Sequence, residues 1–210
     1  MSESGRSAVG VDTYRVDASG VNKMNGLILT GGRSTRMGQD KSQLTYHGKP
    51  QREHLTDLLK PYCNQVYWSV NAHQATALPH FEQLCIVDAF DWPGPLNGIL
   101  SALRLNPAVT WLVVACDMPL LTARSFDALT NRRNMAKLAT VFYDSDGRLP
   151  EPLLGIYEPA FAPIIDRAVA NGQYSPRQLL MVNDIQLVTA PDIRELTNVN
   201  DPAARRQLGF

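Results

Sequence analysis

Segment 29–41 of the 210-residue chain, LTGGRSTRMGQDK, contains residue types that could bind a phosphate group. The apolar run 26–30 predicts a buried strand that ends at a pair of glycines. Glycines allow a tight turn and let a phosphate reach backbone N–H groups with no Cβ in the way. The cationic side chains of Arg33, Arg36 and Lys41 could then offset the charge of the phosphates and of a transition state.

Two common phosphate-binding patterns do not describe this segment. A Walker loop has four residues between its glycines and then Lys-Ser/Thr. Here five residues separate Gly32 from Gly38, and Gln39 follows. The sequence also lacks GxGxxG. For the paired glycines alone, the alternative interpretation is an ordinary strand-to-helix turn that carries surface arginines.

A second candidate segment, 92–99 (WPGPLNGI), places a Pro-Gly-Pro turn at the start of a predicted helix. Pro95 suits the first helical turn, and Asn97 and Gly98 follow in that turn. The first turn of a helix also leaves backbone N–H groups without intrahelical partners. Taken alone, the segment indicates no more than a rigid turn.

A third candidate is Asp117, which directly follows the most apolar predicted strand, 111–116. A carboxylate at the carboxyl end of a buried parallel strand is well placed to hold a hard cation beside a polyphosphate. Mg²⁺ would be the expected cation. The alternative is that Asp117 caps the turn after the strand.

The whole-chain composition is that of a globular domain with no overall electrostatic preference. Lys plus Arg and Asp plus Glu number 20 each, so no net field favours nucleic acid or an anionic membrane. The length suffices to bury a core. No apolar run approaches the roughly 20 residues needed to span a bilayer.

The three cysteines, Cys63, Cys85 and Cys116, are odd in number and far apart, so no disulfide framework or metal spacing is present. This usage favours a reducing cytoplasm, and each cysteine is expected to be a small buried hydrophobic residue. Residues 1–23 are small and polar, with no signal-peptide pattern, and are interpreted as a flexible extension. A single domain, 24–210, follows, and Met24 could be the natural start.

Strands and helices are predicted to alternate along that domain. Helical spacing predicts helices over 52–62, 95–105, 126–131, 160–170 and 177–181. Apolar runs predict strands over 26–30, 65–70, 84–87, 111–116, 138–143, 153–157 and 185–188. This order favours an α/β fold with a mostly parallel central sheet covered by helices on both faces. In such folds ligands bind beyond the carboxyl ends of the strands.

Segment 29–41 resembles the signature loop of the molybdenum cofactor guanylyltransferases, and more broadly of nucleotidyltransferases with the pattern L-x-G-G-x-x-x-R-M-G-x-x-K. Segment 44–50 (LTYHGKP) matches the family's L-x-x-x-G-K-P. The resemblance covers nearly all of 25–207 and implies a three-layer, Rossmann-like nucleotidyltransferase fold. Three further family motifs, G-P-L-x-G, C-D-x-P and N-x-N-x-P, are matched in the family's order by 94–98, 116–119 and 198–202.

The resemblance implies roles for individual residues. Lys41, Arg36 and Asp117 would be catalytic, and Asp117 would also bind Mg²⁺. The residues implied to bind the nucleotide are Leu29, Thr30, Gly31, Gly32, Arg33, Ser34, Lys41, Asp88, Gly94, Pro95, Leu96, Gly98 and Asp117. The residues implied to contact the acceptor are Arg177, Asn198 and Asn200. Glu151 lies on a strand that faces the acceptor, before a proline where the family often has a different residue.

The implied reaction is transfer of GMP from GTP to the phosphate of molybdopterin, giving the guanine dinucleotide form and pyrophosphate. The paired glycines, rather than Ala-Gly, resemble the GTP-using branch of the family. One alternative is a related transferase that uses CTP or another acceptor, such as a sugar phosphate or phospholactate. Another is a non-catalytic GTP-binding module that delivers the cofactor. Expected partners are GTP, a molybdopterin-type acceptor and, transiently, molybdoenzyme maturation proteins, in the cytoplasm and without nucleic acid or membrane.

Overall fold

The computed structural model describes residues 24–30, 41–77, 84–200 and 202–208. The predicted N-terminal extension, 1–23, lies outside the described residues. Within the described ranges, no helix has both the length and the apolar character needed to cross a membrane.

Seven strands and seven α-helices occur in the described part of the chain. The strands are β1 (Met24–Leu29), β2 (Cys63–Val70), β3 (Leu84–Val87), β4 (Trp111–Ala115), β5 (Ala139–Tyr143), β6 (Pro150–Tyr157) and β7 (Gln186–Val188). The helices are α1 (Gln51–Leu59), α2 (Ala72–Ala77), α3 (Pro95–Leu105), α4 (Ala123–Asn131), α5 (Ala162–Ala170), α6 (Pro176–Val182) and α7 (Pro202–Gln207). Short 3₁₀ turns span Lys41–Gln43, Pro159–Phe161 and Ile193–Leu196.

The strands form one sheet in the order β3-β2-β1-β4-β6-β5-β7. Four of the neighbouring pairs are parallel, and β6 runs antiparallel to both β4 and β5. The predicted mostly parallel sheet is therefore confirmed, with β6 as its reversed strand. As a result, the first residues of β6 lie at the same edge of the sheet as the last residues of the other strands. We call this edge the carboxyl edge.

Helices cover both faces of the sheet, which confirms the predicted three layers. On one face, α1 and α4 bury Leu55 and Phe126 in the core. On the other face, α3, α5 and α6 bury Ile99, Ile165 and Leu180. Because successive strand residues point to opposite faces, each buried strand supplies apolar side chains to both cores.

Helix α2 was not predicted, because its six residues carry no apolar period. The structure starts it with a reciprocal cap between Asn71 and Gln74. Asn71 Oδ1 accepts from the Gln74 N–H at 2.8 Å, and Gln74 Oε1 accepts from the Asn71 N–H at 3.0 Å. This arrangement is the capping box, which is readable from a polar residue and a Gln three positions later.

Helix α1 ends at Leu59, although apolar spacing predicted a helix as far as residue 62. Lys60 still has helical φ and ψ and donates to the Thr56 carbonyl, but Pro61 has no N–H with which to continue the helical hydrogen bonds. Beyond this break, the Tyr62 hydroxyl donates to Asp127 at 2.7 Å and its ring packs on Phe126. Tyr62 therefore contacts α4 and is not part of α1.

The prediction that all three cysteines are buried is wrong for Cys85. Cys63 and Cys116 are buried, whereas Cys85 is exposed. The reason is the position of β3 at the end of the sheet, where three of its four residues are exposed. Burial raises the pKa of the Cys63 thiol to about 12.

A buried ion pair lies at the edge of the sheet opposite the carboxyl edge. Glu158 directly follows β6, and its carboxylate accepts from Arg133 Nε at 2.7 Å and from Arg133 Nη2 at 2.9 Å. The Thr110 hydroxyl donates to the same carboxylate at 2.7 Å. The two charged side chains are 10% and 6% exposed, so solvent screens their attraction little.

Replacing Glu158 with Gln keeps the volume and removes the negative charge. We expect the free energy of unfolding to fall by about 2 kcal/mol, because buried hydrogen bonds to charged groups are each worth roughly 1.5–3 kcal/mol. Urea denaturation of both proteins measures the difference. A Glu158→Gln variant as stable as the wild type would contradict this role of the ion pair.

Candidate functional site

Strands β1 and β4 are neighbours at the point where the strand order reverses, since β2 and β3 lie on one side and β6 and β5 on the other. Backbone contact continues past the strands, because the Cys116 N–H donates to the Leu29 carbonyl at 3.3 Å. In open α/β sheets, ligands bind in the crevice at this switch point. Thr30 and Asp117, which follow the two strands, are therefore at the expected place for a ligand site.

Three residues from two distant segments of the chain bond to the loop that follows β4. The Val199 N–H donates to the Asp117 carbonyl at 2.7 Å, which places segment 198–200 against this loop. His47 Nε2 donates to the Pro119 carbonyl at 2.7 Å. Gln51 Nε2 donates to the Met118 carbonyl at 3.3 Å. Segments far apart in sequence thus hold the backbone that carries the Asp117 carboxylate.

The oxygen donors around Asp117 suit a magnesium ion. Asp117 is partly buried, and the neighbouring Asn198 has a buried Oδ1 that accepts no hydrogen bond from a described residue. Mg²⁺ prefers oxygen ligands and is usually held by one or two carboxylates together with substrate phosphates and water. Among the described residues there is no group of three or more His, Cys, Asp or Glu side chains arranged to hold a metal.

On the β2 and β3 side of the carboxyl edge, a chain of hydrogen bonds joins three strands. Thr30 Oγ1 donates to the Ser69 carbonyl at 2.6 Å. Ser69 Oγ then donates to Asp88 Oδ1 at 2.6 Å. Burial raises the pKa of Asp88, and the hydrogen bond from Ser69 opposes that rise. The Asp88 carboxylate is thereby fixed in orientation at the end of β3.

The N-terminus of α3 lies beside this chain. Gly94, the residue before the helix, has a φ of +117°, a conformation that favours glycine. Asn97 Nδ2 donates to the carbonyls of Phe90 and Trp92 at 2.7 and 2.8 Å, which holds the preceding turn. Leu96 is buried in the core.

Gly98 lets α3 approach the sheet closely. A Cβ at this position would lie 2.3 Å from Ser69 Oγ and 2.9 Å from Leu29 Cδ2. Both distances are too short for non-bonded atoms, so no larger residue fits without movement of the helix or the strands. Gly98 therefore determines how near the helix N-terminus lies to Ser69 and, through it, to Asp88.

On the β5 and β6 side of the carboxyl edge, Arg177 lies between two carboxylates. Arg177 Nη1 is 3.1 Å from Asp144 Oδ2, and Arg177 Nη2 is 3.5 Å from Glu151 Oε2. Burial raises the pKa of Glu151, with further increases from the charges of Asp117 and Asp144. A Leu153 N–H and the Arg177 guanidinium oppose that rise.

The remaining residues implied by the resemblance fall into two groups. Leu29 and Thr30 are buried at the end of β1, Pro95 is exposed at the start of α3, and Asn200 is exposed near Asn198. Lys41 begins a 3₁₀ turn, and its side chain lies outside the described residues. The predictions for Gly31, Gly32, Arg33, Ser34 and Arg36 also fall outside the described residues.

Sequence reasoning did not select Ser69, Asp144 or Gln74 for the site, although each lies at the carboxyl edge. Gln74 Nε2 donates to the Thr30 carbonyl at 3.1 Å, directly after β1. The capping box with Asn71 is the one local signal for Gln74. Ser69 and Asp144 belong to no motif, and a signal for them would have required the strand order.

The three-layer α/β fold has acidic residues and an arginine around its switch point, and the family match identifies the chain as a nucleotidyltransferase. The chain belongs to the MobA-like NTP transferase domain family, whose model matches residues 26–190. The motifs quoted from the sequence and the observed sheet agree with that membership.

Two sequence relatives and one solved structure illustrate the similarity. A molybdenum cofactor guanylyltransferase of Pseudomonas putida is 30% identical over 178 residues, which cover 84% of this chain and 92% of the relative. A molybdenum cofactor biosynthesis bifunctional protein of Synechocystis is 34% identical over 177 residues, but this chain spans only 51% of its length. The crystal structure of molybdopterin-guanine dinucleotide biosynthesis protein A from Archaeoglobus fulgidus has the same fold, with a TM-score of 0.72, 22% identity and coverage of 88% of this chain and 96% of that chain.

We expect Gly98→Ala to lower the free energy of unfolding by about 1–3 kcal/mol, the usual cost of overpacking a core. Urea denaturation measures the change. Ser69→Gly removes Ser69 Oγ, the atom nearest to the new methyl group, and leaves the contact with Leu29 Cδ2. The two substitutions together should therefore cost less than the sum of the single changes. Full additivity would contradict the proposed clash.

Proposed function

We propose that this chain transfers GMP from GTP to the terminal phosphate of molybdopterin and releases pyrophosphate. The observation that carries the proposal is the convergence of segments 44–50 and 198–200 on the Asp117 loop at the switch point. Both segments match sequence motifs of the guanylyltransferase family. The Pseudomonas putida relative is named a molybdenum cofactor guanylyltransferase, which supports the reaction, and the Synechocystis relative is named for molybdenum cofactor biosynthesis, which supports the pathway.

The β2, β3 and α3 side of the carboxyl edge would bind the nucleoside of GTP. Asp88 is fixed there by Ser69, so its carboxylate could accept hydrogen bonds from a base or a ribose without reorganisation. The turn before α3 is held by Asn97, and Gly94 is exposed. Backbone groups of this turn are thus accessible to a planar base.

The triphosphate would lie above the switch point, between Thr30 and Asp117. Lys41, Arg33 and Arg36 would neutralise its charge, as the resemblance implies. Asp117, with the Asn198 side-chain oxygen near it, would hold Mg²⁺. When bound, Mg²⁺ would offset the charge on the phosphates and on the departing pyrophosphate.

The acceptor would approach from the β5 and β6 side, where Arg177 supplies a positive charge. Asn198 and Asn200 would contact the acceptor from the segment that packs on Asp117. The nucleotide and the acceptor would then lie on opposite sides of Asp117. Two substrates held in this order can react in line at one phosphorus atom.

The chemistry requires no strong base from the protein. An oxygen of the molybdopterin phosphate attacks the α-phosphorus of GTP and forms a new P–O bond. The bond between the α-phosphorus and the oxygen bridging to the β-phosphorus breaks, and pyrophosphate leaves with the electron pair. Because the attacking phosphate is already anionic at neutral pH, no proton has to be removed. The task of the protein is to position both substrates and to stabilise charge.

The reaction is tested by pyrophosphate release with Mg²⁺, molybdopterin and each of the four nucleoside triphosphates in turn. We expect release with GTP only. Release with CTP only would place the chain in a cytidylyl branch. GTP binding without release, with any of several phosphorylated acceptors, would favour a module that delivers the cofactor without catalysis.

We expect Asp117→Asn to lower kcat roughly 10²–10³-fold, the usual cost of losing one charge-stabilising contact. EDTA should abolish the wild-type activity and added Mg²⁺ should restore it. Asp127→Asn, an exposed change on α4 away from the carboxyl edge, serves as the matched control and should keep wild-type kcat. An active, folded Asp117→Asn enzyme would overturn the role given to Asp117.

A further inference from the structure

We propose that Glu151 and Asp144 are positioning residues that hold the Arg177 guanidinium in one orientation for an anionic group of the acceptor. The inference deepens the proposed function and rests on it, since the acceptor is taken to be molybdopterin. Neither carboxylate is required to touch the substrate. Both act through Arg177.

The sheet register explains why these carboxylates are close together. Strand β6 pairs with β4 so that Leu154 lies opposite Val114 and Tyr157 opposite Trp111. Beyond these pairs, Glu151 lies close enough to Asp117 for the charge of Asp117 to raise its pKa. On the other side of β6, the Asp144 N–H donates to the Leu149 carbonyl at 2.7 Å. Glu151 thus lies between Asp117 and Asp144 along the carboxyl edge.

The two carboxylates are held by the backbone as well as by Arg177. Glu151 Oε1 accepts from the Leu153 N–H at 2.9 Å. Asp144 Oδ1 accepts from the N–H groups of Arg148 and Leu149 at 3.1 and 3.2 Å. In each carboxylate, one oxygen is therefore occupied by the backbone and the other faces Arg177. The carboxylates are fixed acceptors, and the arginine is the group they orient.

The Arg177 side chain is partly exposed to solvent, whereas its two carboxylate partners are buried. Its side chain is 38% exposed, whereas those of Glu151 and Asp144 are 5% and 8% exposed. A guanidinium has five N–H donors in one plane, and two of its nitrogens face the carboxylates here. The donors that remain can meet a phosphate in a bidentate manner, which is the geometry that favours arginine over lysine.

The charges of Arg177 and its two carboxylate partners explain why these side chains lie together. Two buried carboxylates next to Asp117 would repel a phosphorylated acceptor if nothing opposed them. The positive charge of Arg177 lies beside both carboxylates and offsets their repulsion of the acceptor. The carboxylates in turn prevent the arginine from rotating away from the site, so that it binds the acceptor with little loss of side-chain freedom.

The test uses steady-state kinetics with molybdopterin and GTP for the Glu151→Gln enzyme. Gln keeps the oxygen that accepts from Leu153 and removes the charge facing Arg177. We expect KM for molybdopterin to rise roughly threefold to thirtyfold, as for coupled neighbouring residues. The KM for GTP and kcat should stay at wild-type values. Arg177→Lys, which retains the charge but not the planar fork, should give a similar rise.

A double-mutant cycle separates positioning from direct contact. Arg177→Ala should raise KM for molybdopterin more than Glu151→Gln does. Adding Glu151→Gln to Arg177→Ala should cause no further rise in this KM, because without Arg177 the Glu151 carboxylate has no guanidinium to orient and only repels the acceptor. Equal effects of Glu151→Gln in the presence and absence of Arg177 would overturn the proposal.

Glu158→Gln is the matched control, because Glu158 also flanks β6 and pairs with an arginine, but at the opposite edge. It should lower stability and leave both KM values unchanged. If Glu151→Gln behaved the same way, its role would be structural and the proposal would be wrong.

Calorimetric titration with molybdopterin alone measures its binding affinity and does not depend on catalysis. A wild-type protein that binds molybdopterin but releases no pyrophosphate would refute the proposed function. The inference would then be judged on binding, with weaker affinity expected for the Arg177→Ala and Glu151→Gln variants. A wild-type protein that binds no molybdopterin would overturn the inference.

Discussion

The reversed direction of β6 is the constraint on which the site depends. In a fully parallel sheet, the carboxyl edge receives only the last residue of each strand and the loop that follows. Because β6 runs antiparallel between β4 and β5, its first residues reach that edge too. Glu151 is therefore brought between Asp117 and Asp144, and α6 can place Arg177 above both. The proposed acceptor side of the site is a consequence of this one reversal.

The proposed nucleotide side depends on a different constraint, the close approach of α3 to β1 and β2. The absence of a Cβ at Gly98 lets the helix lie against Ser69 and Leu29. Ser69 then bonds to Asp88, and the carboxylate is fixed before any ligand arrives. The tight packing at Gly98 and the fixed orientation of the Asp88 carboxylate therefore have the same structural cause.

Between these two sides lies the loop that carries Asp117, and residues from other parts of the chain fix its backbone. His47 and Gln51 bind its carbonyls, and Val199 donates to the carbonyl of Asp117 itself. A loop after a strand is otherwise among the more mobile parts of a fold. These contacts give the Asp117 carboxylate the rigidity of the sheet without placing it inside a strand.

The sequence by itself determined most of the fold, because apolar periodicity and turn residues are local signals. It indicated all seven strands, the α/β class and the position of Asp117 after β4. Pro61 and the Asn71–Gln74 capping box were local signals too, but apolar spacing alone did not capture them. Only the tertiary structure decided the direction of β6, the exposure of Cys85 on an edge strand and the meeting of Arg177 with Glu151 and Asp144. Those features depend on which strands become neighbours, and strand order is set by long-range packing that no local pattern encodes.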